Sequence, residues 1–105
     1  MFNLFSKTNS ISTGELQEIL TTNPIILDVR EDYEFTTGHI PGAKNVPLST
    51  VGNYKANKGK KIYVICQSGM RSKNAYATLE KNGYDVINVT GGMSAWRGVV
   101  QRGAK

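Results

Sequence analysis

Cysteine and histidine are scarce in this chain of 105 residues, which contains one of each, Cys66 and His39. A single cysteine excludes a disulfide within the chain, and the two residues are too few and too widely spaced for a structural metal site. We therefore expect no metal and no cofactor. Because the chain makes no use of disulfides, we expect a reducing compartment, the cytoplasm.

Long apolar runs are also missing. The apolar segment at residues 1–5 is interrupted by Ser6 and Lys7, so it is too short for the hydrophobic region of a signal peptide or for a membrane span. A chain of 105 residues with 39% apolar and 20% charged residues is typical of one globular domain. We expect no membrane partner.

Acidic residues are fewer than basic ones, 8 against 13, which gives a net charge of +5. Four lysines cluster in one connector, and no basic segment is interleaved with stacking aromatic residues. These four are Lys55, Lys58, Lys60 and Lys61. A solvated loop is therefore favoured, and no nucleic-acid partner is predicted. The charge still favours anionic small molecules or acidic partners.

Short apolar runs alternate with helical patterns along the chain. Ser12 and Glu15 fit a capping box, and apolar residues then recur at helical spacing to about Thr21. Strands are predicted at residues 25–27, 43–46, 62–65 and 85–89, and helices at 31–35, 72–82 and around Met93 and Trp96. The tail from Gly98 is expected to fray. This alternation predicts an α/β fold, with helices on both faces of a parallel sheet.

Cys66 lies between a predicted strand and a predicted helix, in the loop Cys66-Gln67-Ser68-Gly69-Met70-Arg71. Backbone N–H groups at such a junction lack intrahelical partners and can converge on an anion, here the thiolate or a charged substrate. The alternative is a small buried hydrophobic residue, the commonest role of a free cysteine. Asp28 and Arg30 follow the strand at 25–27, so we expect them at the same edge of the sheet.

Several segments resemble the single-domain rhodanese-like sulfurtransferases in order and spacing. They are Asp28-Val29-Arg30, Glu34-Phe35, residues 38–47 (GHIPGAKNVP), residues 66–72 (CQSGMRS) and residues 91–96 (GGMSAW). The resemblance covers residues 11–98, which leaves residues 1–10 as an N-terminal extension and 99–105 as a C-terminal tail. It implies a rhodanese-like fold with a five-stranded, mostly parallel sheet. It also implies that Cys66 accepts a sulfane sulfur as a persulfide and passes it to a nucleophilic acceptor.

The chemistry of sulfur transfer fits this loop. A helix N-terminus and a nearby cation lower the pKa of a thiol from its usual value of about 8.5, so Cys66 needs no histidine base. The N–H groups of residues 67–72 would hold the persulfide, with Gly69 allowing the chain to curl. The chain has no second cysteine to resolve the persulfide. The resemblance implies a thiosulfate or persulfide donor and a cyanide, thiol or protein acceptor, and we expect a monomer.

Charged side chains near Cys66 allow more than one interpretation. Arg71 is expected to bind the anionic part of the donor, or to form a structural pair with Asp28 or Glu80. Asp28 and Arg30 are expected to buttress the loop rather than touch substrate. His39 belongs to a turn motif that the family uses structurally, so a Cys-His dyad is not favoured.

The neutral residues of the loop are expected to shape the site. Ser68 and Ser72 are candidates to hydrogen-bond the sulfur or to cap the helix, and capping is favoured for Ser72. Gln67 and Met70 are expected to point outward and to shape substrate access. Trp96 is assigned to the core or to support of the loop.

Two other functions stay open at this point. Phosphatases and arsenate reductases of the same fold have five residues between cysteine and arginine, whereas this loop has four. The shorter ring of N–H groups suits a single sulfur atom. A partner-binding module without activity is the second alternative, but such modules usually lack the cysteine. Because Arg71 is the only cation in the loop, efficient transfer from thiosulfate to cyanide is not expected.

Overall fold

Five parallel strands form the sheet, in the order β1-β5-β4-β2-β3, in a computed structural model that describes residues 8–104. The strands are β1 (Ser10–Ser12), β2 (Ile25–Asp28), β3 (Lys44–Asn45), β4 (Lys61–Ile65) and β5 (Asp85–Thr90). The helices are α1 (Thr13–Ile19), α2 (Asp32–Thr37), α3 (Met70–Lys81) and α4 (Gly92–Ala95), with 3₁₀ turns at Leu20–Thr22 and Leu48–Asn53. None of these helices is long and apolar enough to cross a membrane. The predicted α/β fold is confirmed.

Both faces of the sheet are covered, because alternate residues of β4 contribute to two separate cores. Val64 packs with Leu79 of α3 on one face. Ile65 packs with Leu16 of α1 and with Trp96 on the other. A strand buried on both faces reads as a continuous apolar run, which is why β4 could be recognised. Each fully buried apolar side chain of this kind contributes about 1.5–3 kcal/mol to stability.

Among the strands of residues 8–104, β1 is the one that the sequence pattern did not predict. Its residues pair in parallel with β5, with Ser10 opposite Asn88 and Ile11 opposite Val89. Only one of its three residues is apolar, so no periodicity marks it as a strand. The pairing continues one residue earlier, where the N–H of Asn88 donates to the carbonyl of Asn9 at 2.8 Å.

The two longer helices begin differently from each other. Helix α1 has the predicted capping box, in which the N–H of Glu15 donates to the Ser12 hydroxyl and the N–H of Ser12 donates to the Glu15 carboxylate. Helix α3 begins two residues before the predicted start, and Gly69, not Ser72, is its N-cap. The predicted capping role of Ser72 is therefore wrong. Gly69 has a φ of +116°, which turns the loop sharply enough for the helix to begin at once.

The C-terminal tail is bonded to the domain rather than frayed. His39 and Gln101 exchange two backbone hydrogen bonds, at 2.9 and 2.8 Å, in an isolated antiparallel bridge. The N–H of Gly103 donates to the carbonyl of Thr36 at 2.9 Å. Buried backbone groups require partners, and the tail supplies them to His39, which is fully buried.

Candidate active site

Cys66 lies immediately beyond the carboxyl end of β4 and is 1% exposed. The neighbouring strand β2 ends in Asp28, and Arg30 follows two residues later. These three residues therefore lie at the same edge of the sheet, as predicted. In parallel α/β sheets, this edge is where ligand sites form.

The sulfur of Cys66 is held by groups of the loop and of the first turn of α3. The N–H of Gly69 donates to Sγ at 3.0 Å. Sγ is 3.5 Å from the hydroxyl oxygen of Ser72, which in turn donates to the carbonyl of Gly69 at 3.1 Å. Ser72 therefore contacts the sulfur, the alternative that the sequence interpretation ranked below capping.

These contacts lower the pKa of Cys66. Burial raises the pKa of the thiol, because a charged sulfur loses its hydration. The Ser72 hydroxyl and the backbone N–H groups of Ser72, Gly69 and Ser68 lower the pKa by more than burial raises it. The arrangement favours a thiolate surrounded by neutral hydrogen-bond donors.

The turn that opens α4 clamps the start of the active-site loop. The N–H of Met93 donates to the carbonyl of Cys66 at 2.8 Å, and that of Ser94 donates to the carbonyl of Gln67 at 2.9 Å. Gly92 lies so close to the loop that a Cβ atom there would be 2.4 Å from the Cys66 carbonyl oxygen. Gly92 is thus required for close contact between two backbone segments.

The side chain of Gln67 is half-buried, and both ends of its amide group are hydrogen-bonded. Its amide oxygen accepts from Arg30 Nη1 at 3.1 Å, and its amide nitrogen donates to the Ser94 hydroxyl at 3.2 Å. Arg30 is itself fixed by Asp28 at 2.8 Å and by the carbonyl of Gly38 at 2.8 Å. Asp28 and Arg30 therefore support the active-site loop through the side chain of Gln67.

Arg71 forms an ion pair with Glu34 of α2, and not with Asp28 or Glu80. Nη1 and Nη2 donate to the two carboxylate oxygens at 2.6 and 2.9 Å. The hydrogen bonds from Arg71 lower the pKa of Glu34 to about 2, against a smaller opposing effect of burial. The same hydrogen bonds raise the pKa of Arg71, and the charge of Cys66 raises it further. The guanidinium thus lies within the electrostatic field of the sulfur.

The remaining candidates lie at the surface or away from the sulfur. Met70 is 73% exposed and points outward, as predicted. The side chain of Ser68 is exposed. His39 is buried, stacks on Phe35 with ring centroids 3.7 Å apart, and places Nδ1 2.8 Å from the Phe35 carbonyl oxygen. Within residues 8–104, no three potential histidine, cysteine or carboxylate ligands are grouped for a metal ion.

A groove of about 470 Å³ lies beside the active-site loop. Its lining includes Ser68, Gly69 and Met70 of the loop, Lys73 of α3, and residues of the β1 and β5 edge. A substrate larger than one sulfur atom has room to lie there while it reaches the loop.

Comparison with known proteins identifies the fold and the family. The model of the Rhodanese-like domain family matches residues 12–98. The chain belongs to the rhodanese-like domain family. The putative sulfurtransferase YtwF of Bacillus subtilis (strain 168) is 38% identical over 92 residues, which cover 84% of this chain and 89% of that protein. A rhodanese-like domain protein from Staphylococcus aureus has a TM-score of 0.84 and 38% identity, covering 91% of this chain and 99% of that one.

Other relatives are longer than this rhodanese-like domain. The putative sulfur carrier protein YrkF of Bacillus subtilis (strain 168) is 46% identical over 76 residues, 70% of this chain. The matched part is 41% of YrkF, and in a second relative from the same organism, the uncharacterized protein YqhL, it is 63%. The chain thus corresponds to part of each of these two proteins.

Two functional residues of the rhodanese-like domain were missed by sequence reasoning. Glu34 was noted only as part of the resemblance, although it binds Arg71 across 37 positions of sequence. Gly92 was likewise noted only within the segment at residues 91–96, although it sets the distance between the start of α4 and the Cys66 carbonyl. The only signal for either was its position in a segment that resembles the family.

Proposed function

We propose that this rhodanese-like domain is a sulfurtransferase in which Cys66 accepts a sulfane sulfur as a persulfide and passes it to a nucleophilic acceptor. The donor is thiosulfate or a persulfide, and the acceptor is cyanide, a thiol or a protein. Relatives named as sulfurtransferases support sulfur transfer at the level of the family. We place this activity in the cytoplasm, in a monomer that needs no cofactor.

The observation that carries the proposal is the set of donors around Sγ. The thiolate attacks the outer sulfur of the donor, a new S–S bond forms, and the donor S–S or S–SO₃ bond breaks with its electron pair on the leaving group. The outer sulfur of the resulting persulfide is then attacked by the acceptor, and Cys66 leaves as a thiolate. Neutral N–H donors at the start of a helix stabilise an anion. They would therefore stabilise both the thiolate of Cys66 and the persulfide anion that replaces it. Gln67, Ser68, Gly69, Met70, Arg71 and Ser72 are the proposed substrate-binding residues, with Asp28 and Arg30 in support.

Intact-mass spectrometry tests this proposal. Incubation with thiosulfate or glutathione persulfide should add about 32 Da, the mass of one sulfur atom, and subsequent cyanide or thiol should remove it. A partner-binding module without activity would give no adduct with any donor.

Cys66→Ser is the matching control. Transfer should fall below a few per cent of wild type, while stability should change by only ~0.5–3 kcal/mol, the usual range for a point substitution. Residual turnover in a folded Cys66→Ser protein would show that Cys66 is not the nucleophile.

A further inference from the structure

The ion pair between Arg71 and Glu34 uses the only cation of the loop at residues 66–72. Both terminal nitrogens of Arg71 donate to Glu34, at 2.6 and 2.9 Å. A sulfonate or sulfite group is bound by arginine through the same two parallel hydrogen bonds as a carboxylate. Glu34 and an oxyanion on the donor therefore compete for the same nitrogens.

Arg30, the second arginine at this edge of the sheet, does not replace Arg71 as an available cation. Arg30 is paired with Asp28, and the two side chains are 4% and 0% exposed. Both arginines are thus paired with carboxylates, and the hydrogen bonds of the Cys66 sulfur are made with Gly69 and Ser72 instead. A dianion such as thiosulfate therefore finds neither Arg30 nor Arg71 unpaired, whereas a neutral hydropersulfide does not need a cation in the same way, because its two sulfur atoms carry no charge before the S–S bond breaks.

We propose that Glu34 is a specificity-determining residue that withholds the guanidinium of Arg71 from oxyanions and so selects hydropersulfide donors over thiosulfate. This inference rests on the proposed function and narrows its donor. With a hydropersulfide, Cys66 attacks the outer sulfur, the donor S–S bond breaks, and a thiolate leaves with the electron pair, while the proton stays on the transferred sulfur. With thiosulfate, the leaving group is the sulfite dianion, whose charge needs the cation that Glu34 occupies.

The ion pair between Arg71 and Glu34 is charged at neutral pH and is accessible to small anions. Hydrogen bonds from Arg71 hold the pKa of Glu34 at about 2, so the carboxylate is ionised throughout the neutral range. The side chains of Arg71 and Glu34 are 33% and 22% exposed, so a small anion in solution has access to them. Replacement of Glu34 by glutamine keeps an acceptor for the N–H of Glu31, which Glu34 binds at 2.9 Å at the start of α2.

Donor kinetics test the proposal with a matched control. Glu34→Gln should raise kcat/KM for thiosulfate by about ten-fold or more, through a lower KM, and should change kcat/KM for glutathione persulfide by less than about three-fold. Asp32→Asn removes the same charge from an exposed residue of the same helix, so it should leave both donors nearly unchanged. An equal gain in both variants would indicate a general charge effect and would overturn the proposal.

Sulfite binding, measured by calorimetry, gives a second result that does not require turnover. Sulfite should bind Glu34→Gln about ten-fold more tightly than wild type, and this gain should vanish in the double variant Glu34→Gln/Arg71→Gln. Unchanged sulfite affinity in a folded Glu34→Gln protein would refute the proposal. If wild type forms no persulfide with any donor, the proposed function fails, while the sulfite titration still shows whether Glu34 competes for Arg71.

Discussion

Gly92 provides a sharp test of how the active-site loop is held. A Cβ added there would lie 2.4 Å from the carbonyl oxygen of Cys66 and 2.7 Å from both the carbonyl carbon and the oxygen of Gln67. All three are backbone atoms of the loop, so no side chain can rotate away to make room. Gly92→Ala must therefore move one backbone segment relative to the other.

The loss of folding free energy in Gly92→Ala has two parts. Gly92 has a φ of +60°, and an alanine in this left-handed region costs about 1–2 kcal/mol. Forced overpacking adds typically ~1–3 kcal/mol. Together they predict a loss of about 2–5 kcal/mol, a large fraction of the ~5–15 kcal/mol by which domains are stable. The shift should also weaken the hydrogen bonds that Met93 and Ser94 donate to the loop.

Gly42→Ala is the matched control. Gly42 has a φ of +88°, yet no atom lies within 4 Å of its added Cβ, so only the backbone term of about 1–2 kcal/mol applies. Thermal and urea unfolding should show that Gly92→Ala is less stable than Gly42→Ala, with a Tm that is lower by about 5–20 °C. Persulfide formation should fall in Gly92→Ala and persist in Gly42→Ala. Equal stability losses in the two variants would refute the close-contact argument.

Further predictions concern the sulfur, the arginine and the ion pair. Ser72→Ala removes a group that lowers the pKa of Cys66, so persulfide formation at neutral pH should fall roughly ten-fold and recover at higher pH, whereas Ser68→Ala, whose side chain is exposed, should leave the pH profile unchanged. Arg71→Lys keeps the charge but loses the planar fork; a higher donor KM would show donor binding, and a lower Tm with unchanged KM would show a purely structural role. Because the pKa of Glu34 is lowered in the folded state, its pairing stabilises the protein above about pH 4.5, and this contribution should disappear as pH falls toward about 2, in urea unfolding of wild type but not of Glu34→Gln.

Much of the fold could be predicted from local sequence because its signals are local. Residues 62–65 form a continuous apolar run in a strand buried on both faces, and Ser12 and Glu15 satisfy each other within one turn. Strand β1 has one apolar residue in three and gave no such signal. The start of α3 was misplaced because it depends on the left-handed conformation of Gly69, which residue identity permits but does not require.

The partners of the site residues could not be predicted in the same way, because they depend on contacts between distant segments. Arg71 was expected to bind the donor or to form a structural pair with Asp28 or Glu80. Asp28 is instead paired with Arg30, and Arg71 is paired with Glu34 of α2. Once both arginines are paired with carboxylates, the sulfur depends on neutral donors, the N–H groups of the loop and the Ser72 hydroxyl. This has a chemical advantage, since the nucleophilicity of a thiolate decreases as its pKa decreases. The neutral donors lower the pKa of Cys66, burial opposes them, and no cation of residues 8–104 is hydrogen-bonded to the sulfur. The thiol is therefore ionised more readily, and the thiolate keeps the nucleophilicity that it needs to attack the donor.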